Sequence, residues 1–108
     1  MYITYRNFED FKEAHHTLAE ELLNKVSEGE WQNNELCWYS TLADFAQYEL
    51  ENGWYSSCGL YEQNFHGYPN PMDFIDLTAL GDGISDDWDE SCYHRLSDDS
   101  VISTSYGW

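Results

Sequence analysis

The sequence predicts a mainly α domain, with about four helices packed around one aromatic-rich core, and it allows a short β pair between the N- and C-terminal segments. Two observations favour this class. Apolar side chains recur at three- and four-residue steps along much of the chain, which is typical of amphipathic helices. Aromatic residues make up 18% of the 108 residues, and each buried ring removes a large apolar area from water. We therefore expect residues 1–108 to form a single acidic globular domain.

The N-terminal segment is expected to form a short strand followed by a long helix. Residues 2–5 have the sequence Tyr-Ile-Thr-Tyr, which favours a strand. Asn7 is a favourable helix N-cap, and apolar side chains continue at helical spacing almost as far as Gly29, a residue type that commonly ends helices. The first helix is therefore predicted at about residues 8–28.

The second predicted helix begins at Asn33 or Asn34 and ends at Gly53. Its apolar residues form two stripes, which indicates a helix that is central in the fold or covered by a partner. Residues 53–70 are rich in Gly, Tyr, Ser and Asn and are interpreted as a structured loop anchored by aromatic side chains. The anchoring residues are Trp54, Tyr55, Tyr61, Phe65 and Tyr68.

Two further helices and a strand are predicted in the last third of the chain. Asn70 and Pro71 form a favourable helix start, and this third helix is expected to stop at Gly81. Ser85 is the predicted cap of a fourth helix, so that the acidic residues after it would crowd the positive N-terminal end of that helix. The segment Val101–Trp108 alternates enough to form a strand, which would pair with the N-terminal strand.

The distribution of charge carries the strongest functional signal. The protein has 21 acidic residues against Arg6, Lys12, Lys25 and Arg95, so its formal net charge is −17. No Lys or Arg occurs between residues 26 and 94. Because uncompensated like charge repels itself in a compact molecule, we expect the partner of this protein to be strongly positive.

Catalysis and metal binding are not predicted. The sequence has no Gly-x-Ser-x-Gly motif and no phosphate-binding glycine loop, and no carboxylate pair stands out among the 21 acids. It also lacks a Cys-x-x-Cys pair and a helical His-x-x-x-His pair, so no catalytic residue, metal or cofactor is assigned. Cys37, Cys58 and Cys92 are expected to be reduced. His15 lies on the apolar stripe of the first helix and is expected to pack there with a local hydrogen bond.

A cytoplasmic location is expected. No apolar run approaches the roughly 20 residues that span a bilayer, and the first residues lack the pattern of a signal peptide. The negative cytoplasmic surface of a membrane would repel this chain. We therefore expect no membrane partner.

The acidic surface is the candidate binding site. Carboxylates three or four residues apart on a helix lie about 5–6 Å from each other, so a rigid helical protein can present a row of charges comparable with DNA phosphates. A surface that only promotes solubility is the simpler alternative. Tryptophans beside helix ends are further candidates, since Trp often anchors interfaces. The candidate partner-binding residues are Glu28, Glu30, Glu35, Glu49, Glu51, Asp82, Asp86, Asp87, Asp89, Glu90, Asp98, Asp99, Trp31 and Trp54.

In size, charge, aromatic content and helical placement of acids, the whole chain resembles the acidic DNA-mimic inhibitors of phages and mobile elements, which act against restriction and CRISPR systems. The resemblance implies a non-catalytic inhibitor in the cytoplasm of a bacterial host. Such a protein occupies the DNA-binding site of a restriction-modification or CRISPR nuclease complex, or of another basic DNA-binding protein. It binds no nucleic acid itself.

A second class of protein fits the same composition. Acidic immunity or antitoxin proteins cap a basic nuclease toxin and concentrate their binding energy in a few buried aromatic and acidic residues. Tyr55, Tyr61 and Tyr68 would be the anchor surface in that case. A homodimer is compatible with both classes, because it would lengthen the acidic face and cover the second apolar side of the second helix.

Overall fold

The computed structural model describes residues 1–58 and 66–108 and shows an α+β fold. In these two ranges a four-stranded antiparallel sheet with the order β1-β2-β4-β3 is combined with four α-helices. The prediction of a mainly α fold is therefore wrong. The strands are β1 (Tyr2–Tyr5), β2 (Leu36–Tyr39), β3 (Tyr93–Arg95) and β4 (Val101–Thr104). The helices are α1 (Phe8–Ala14), α2 (His16–Lys25), α3 (Leu42–Asn52) and α4 (Leu77–Asp87), with 3-10 helices at Glu30–Asn33, Trp54–Cys58 and Pro71–Phe74.

Helices cover the sheet on both faces, so the core is divided into two clusters. Since side chains alternate along a strand, Trp38 and Ile102 point to one face, where they pack with residues of α1 and α2. Tyr39 and Val101 point to the other face, where they pack with Phe45 of α3 and with residues of α4. The single core predicted from the sequence is thus replaced by one cluster on each side of the sheet.

The first predicted helix is two helices with a break at His15. The start is as predicted, because Asn7 caps α1 by accepting a hydrogen bond from the backbone N–H of Asp10 at 3.0 Å. His15 leaves the helical region (φ −140°, ψ 68°). Its ring packs on that of Trp38 with centroids 4.1 Å apart, and its Nε2 lies 3.1 Å from the Tyr5 hydroxyl. The expectation of a packed histidine with a local hydrogen bond is confirmed, whereas the helical segment ends three residues earlier than predicted.

The second predicted helix is a strand followed by a shorter helix. Residues 36–39 form β2, and α3 begins only after Thr41, whose hydroxyl accepts a hydrogen bond from the backbone N–H of Asp44 at 3.0 Å. Gly53 follows the last residue of α3, as predicted. The two apolar stripes arise because β2 is an inner strand covered on both faces, and such a strand carries apolar side chains on both faces. The sequence pattern alone does not distinguish this strand from the first turn of a helix.

The third and fourth predicted helices are a 3-10 turn and one α-helix. Asn70 caps only the turn, by accepting from the backbone N–H of Met72 at 2.9 Å. The N-cap of α4 is Asp76, and the helix passes through Gly81 and Ser85 without a stop or a new start. The prediction of a fourth helix from Ser85 is therefore wrong.

Strands form in both terminal segments, although β4 ends at Thr104 and not at Trp108, and the two strands do not pair with each other. β1 covers residues 2–5 and pairs with β2, while β4 lies between β2 and β3. A hairpin that the sequence did not indicate joins β3 to β4, with Leu96 N–H donating to the Ser100 carbonyl at 2.8 Å and Asp99 in the left-handed region (φ 67°). Asp and Asn tolerate this region better than most residues.

Candidate partner-binding surface

The molecule is elongated. Its principal extents are 51 × 24 × 23 Å and its radius of gyration is 15.4 Å, compared with about 13 Å for a compact domain of this length. The net charge can therefore be expressed per unit length of the long axis and compared with that of DNA.

The charge per unit length is close to that of one DNA strand. Without Glu62, which lies outside the described residues, the 21 acids become 20, and subtracting the 4 bases leaves 16 net charges. Over the 51 Å axis this is one net charge per about 3 Å, whereas a DNA strand carries one per about 3.4 Å and a duplex one per about 1.7 Å.

Two of the candidate acids share an ion pair with Arg95, which joins α4 to the β3–β4 hairpin. The Arg95 guanidinium lies 2.6 Å from Asp82 of α4 and 2.9 Å from Asp99 of the hairpin turn, and it donates to the Ser85 hydroxyl at 3.1 Å. These hydrogen bonds raise the pKa of Arg95. Asp82 and Asp99 therefore connect two elements of the fold and offer less negative charge to a partner than the sequence suggests.

Two further candidates stabilise turns. Asp89 accepts a hydrogen bond from the backbone N–H of Ser91 at 2.9 Å, and Asp98 accepts from the backbone N–H of Ser100 at 3.0 Å. Short carboxylates often hold turns in this way. Both side chains belong to exposed residues, so they combine a local structural role with a surface charge.

Glu90 lies beside the buried His94. The carboxylate is 3.0 Å from His94 Nδ1, but the pKa of His94 is lowered, because burial outweighs the attraction of Glu90 and the Lys25 charge acts in the same direction as burial. The neutral imidazole is thus favoured. In its neutral form the imidazole does not offset the charge of the exposed Glu90 carboxylate.

The remaining candidate acids lie at several places on the surface. Glu51 is exposed and accepts a hydrogen bond from Gln47 at 2.5 Å, while Glu49 is half-buried in α3. The other five are exposed, and within residues 1–58 and 66–108 they form no ion pair or side-chain hydrogen bond. These five are Glu28, Glu30, Glu35, Asp86 and Asp87.

The structure brings three of the candidates together in a concave site, which we call the Trp31 cleft. It has a volume of about 480 Å³ and is lined by residues 26–31, Asn34 and residues 106–108. Glu28 and Glu30 lie in its wall beside Trp31, whose side chain is almost fully buried. The Trp31 indole N–H donates to the Ser27 carbonyl at 2.8 Å, which fixes the orientation of the ring.

Two aromatic residues of the Trp31 cleft were missed by the sequence analysis. The Trp108 ring meets Trp31 edge-to-face with centroids 5.2 Å apart, and Tyr106 is 86% exposed. Gly107 between them has φ 84°, a conformation that favours glycine. No local sequence signal links residues 106–108 to residues 26–31, because their proximity depends on the position of β4 in the sheet.

Glu35 lies in a separate hollow on the α3 side of the sheet. This hollow has a volume of about 270 Å³ and includes Cys37 and Ser103. Tyr2 and Tyr48 form another part of its wall, with ring centroids 4.9 Å apart. Burial raises the pKa of the Cys37 thiol despite opposing hydrogen bonds, so the thiol is protonated at neutral pH.

The predicted aromatic loop is described only in part. Trp54 begins a 3-10 helix, but its side chain falls outside the described part of the structure, as do Tyr61 and Phe65. Tyr55 is half-buried and Tyr68 is 79% exposed. The structure therefore does not place these aromatic residues on one anchor surface.

Comparisons of the chain with protein-family models, with curated proteins and with solved structures give no match. Among the described residues, no helix is long and apolar enough to cross a membrane. The same residues contain no group of three or more His, Cys, Asp or Glu side chains arranged to hold a metal ion. A functional proposal therefore rests on the charge, shape and cleft of the chain itself.

Proposed function

We propose that this protein is a non-catalytic inhibitor that occupies the DNA-binding site of a basic protein or nuclease complex, such as a restriction-modification or CRISPR complex. The observation that carries the proposal is the linear charge density, with one net charge per about 3 Å of a 51 Å molecule, close to the value for a DNA strand. A groove that binds DNA through phosphate contacts is attracted to such an array.

The placement of the acids supports this proposal. The acids without ion pairs come from several elements: Glu30 begins a 3-10 helix, Glu35 precedes β2, and Asp87 ends α4. The sheet and its two helical layers hold these backbones in place, so that the charges keep fixed separations. Ordered charges favour fast association through electrostatic steering, which weakens as salt screens it.

Displacement by DNA tests the proposal. The immobilised protein is incubated with bacterial lysate freed of nucleic acid, and bound proteins are eluted with a duplex of about 15 base pairs, which is 51 Å at about 3.4 Å per step. Polyglutamate of equal total charge is the control eluent. We expect DNA to elute a DNA-binding complex at concentrations at which polyglutamate does not.

The eluted complex is then purified and its DNA binding is measured with and without this protein. We expect competitive inhibition whose strength falls steeply as salt rises. An inhibition constant that is the same at low and high salt would contradict charge mimicry. Equal elution by polyglutamate would show that any polyanion suffices.

An immunity or antitoxin protein is the second candidate, and the Trp31 cleft is the observation that favours it. A cleft with buried aromatic rings and two carboxylates is the kind of feature on which a specific inhibitor concentrates its binding energy. Recovery of one basic toxin that DNA cannot displace would support this function in place of DNA mimicry.

A further inference from the structure

The Trp31 cleft combines an aromatic lining with carboxylates that have no cation of their own. The half-buried Trp108 and the exposed Tyr106 supply ring surface, and the buried Trp31 packs edge-to-face against Trp108 from the core side. Glu28 and Glu30 are exposed and make no ion pair in the described part of the chain. At about 480 Å³ the cleft is within the range of about 300–1,000 Å³ typical of ligand sites.

We propose that this cleft binds a single arginine side chain of the basic partner. The inference rests on the proposed function, since it assigns one contact within that complex. A guanidinium group is planar, stacks on aromatic faces and donates paired hydrogen bonds to carboxylates. Aromatic rings and carboxylates are the two features that the cleft offers side by side.

Other classes of ligand fit the cleft less well. An anion would be repelled by Glu28 and Glu30, and a neutral apolar side chain would leave these carboxylates without a counter-charge. A lysine ammonium could contact both the rings and the carboxylates, but it is a compact, strongly hydrated charge that stacks less well on rings. The cleft is therefore expected to prefer arginine to lysine.

Binding of an arginine side chain in the Trp31 cleft is tested with small model compounds. Uniformly labelled protein is titrated with N-acetyl-arginine amide and, as a neutral control of the same shape, with N-acetyl-citrulline amide, while backbone and indole N–H signals are followed by NMR. We expect the arginine compound to move the signals of Trp31, Trp108 and Gly107 to saturation. Citrulline should bind at least about fivefold more weakly, since it lacks the cation–π attraction.

Matched variants separate the cleft from the general acidic surface. Glu28→Gln/Glu30→Gln removes two charges in the cleft and is expected to weaken arginine binding by about tenfold. Asp86→Asn/Asp87→Asn removes two charges from α4, on the opposite helical layer, and should change this binding by less than about twofold. Both pairs of side chains are exposed, and among the described residues they have no ion pair or side-chain hydrogen bond, so both variants should fold.

A second pair of variants tests the aromatic contribution without changing charge. Tyr106→Ala is expected to weaken arginine binding by about two- to fivefold, whereas Tyr106→Phe should retain it because the ring remains. Shifts spread evenly over all acidic segments, or equal losses in the two double variants, would overturn the arginine site. That result would leave the proposed function intact, because competition with DNA depends on total charge and is measured separately.

Discussion

The two aspartates at the end of α4 oppose the dipole of their own helix. The sequence predicted that Asp86 and Asp87 lie near the positive N-terminal end of a helix. In the structure they are the last two residues of α4, at the negative end of the helix dipole. We expect Asp86→Asn and Asp87→Asn each to raise the free energy of unfolding by about 0.3–1 kcal/mol. Urea denaturation at low ionic strength measures this, and a loss of stability in both variants would contradict the reasoning.

Glu9 provides the matched control for this prediction. It lies in the first turn of α1, where the helix dipole favours negative charge. Glu9→Gln is therefore expected to lower stability slightly or leave it unchanged, although it removes one charge as the α4 variants do. A gain of the same size for Glu9→Gln would assign the effect to net charge and not to the helix ends.

His94 is expected to make folding stability depend on pH. Its pKa lies below the ordinary value of 6.5, chiefly because of burial, so the unfolded state binds more protons than the folded state below that pH. The resulting contribution to stability is present above about pH 6.5 and is lost as the pH falls through the folded-state pKa. Urea denaturation between about pH 7.5 and 5 should show a shallower loss for His94→Gln than for the natural protein.

The test depends on the difference in pH dependence between His94→Gln and the natural protein. Protonation of carboxylates also changes the self-repulsion of the molecule, and this effect is common to both. Parallel stability curves for His94→Gln and the natural protein would show that the imidazole does not cause the pH dependence.

Single residues with local roles were the most predictable part of the fold. Asn7 and Gly53 follow the prediction, because a helix cap depends on residues within a turn or two. His15 is packed as expected, but it lies at the break between α1 and α2 and its ring contacts Trp38 of β2. Trp108 was not predicted as part of the candidate site. Its contact with Trp31 joins segments more than seventy positions apart, and local sequence contains no signal for it.

At the level of elements, Gly81 determines how closely α3 and α4 approach. The glycine is buried, and a Cβ there would lie 2.9 Å from the carbonyl carbon of Leu42. We expect Gly81→Ala to lower the free energy of unfolding by about 1–3 kcal/mol, since the backbone of α3 has to move. Chemical denaturation measures the change.

Gly83, two residues further along the same helix, is the control. A Cβ at Gly83 meets nothing within 4 Å, so Gly83→Ala should raise stability by about 0.5–1 kcal/mol through helix propensity and a less flexible unfolded chain. Similar changes in stability for Gly81→Ala and Gly83→Ala would show that the close packing of α3 on α4 does not require a glycine at position 81.

The errors in element boundaries have a common physical cause. Residues 36–39 form an inner strand, and their apolar pattern continued in phase with that of α3, so length and periodicity alone could not separate strand from helix. The prediction that a helix ends at Gly81 was wrong for a related reason. This glycine is required by the packing of α4 on α3 and does not mark a helix end. The sequence indicates where apolar faces lie, but which element covers each face depends on distant segments.

For the whole molecule, we expect added salt to stabilise the fold. With 16 net negative charges among the described residues, the folded molecule repels itself, and screening reduces this repulsion. Thermal melts from about 0.02 to 0.5 M NaCl should show a rising Tm. KCl should give the same curve if screening is responsible, and a falling Tm would contradict the expected repulsion.

The net charge of the molecule was predictable from sequence, whereas the topology was not. Net charge is a sum over residues and needs no structure, so a positive partner can be expected from composition alone. The 51 Å axis and the Trp31 cleft depend on strand order, which composition does not contain. The ion pairs of Asp82 and Asp99 with Arg95 likewise become visible only when α4 and the hairpin are placed together.

The inner strand pair also governs how the chain assembles. β2 and β4 join residues that are 62 positions apart at Tyr39 and Val101 and 68 apart at Leu36 and Thr104. Closing so long a loop costs chain entropy before any sheet contact compensates for it, and pairing between distant segments slows folding. Repulsion along the acid-rich segment between the two strands adds to this barrier. The protein is therefore expected to fold slowly for its size, and newly made chains remain open to proteases until β4 pairs with β2.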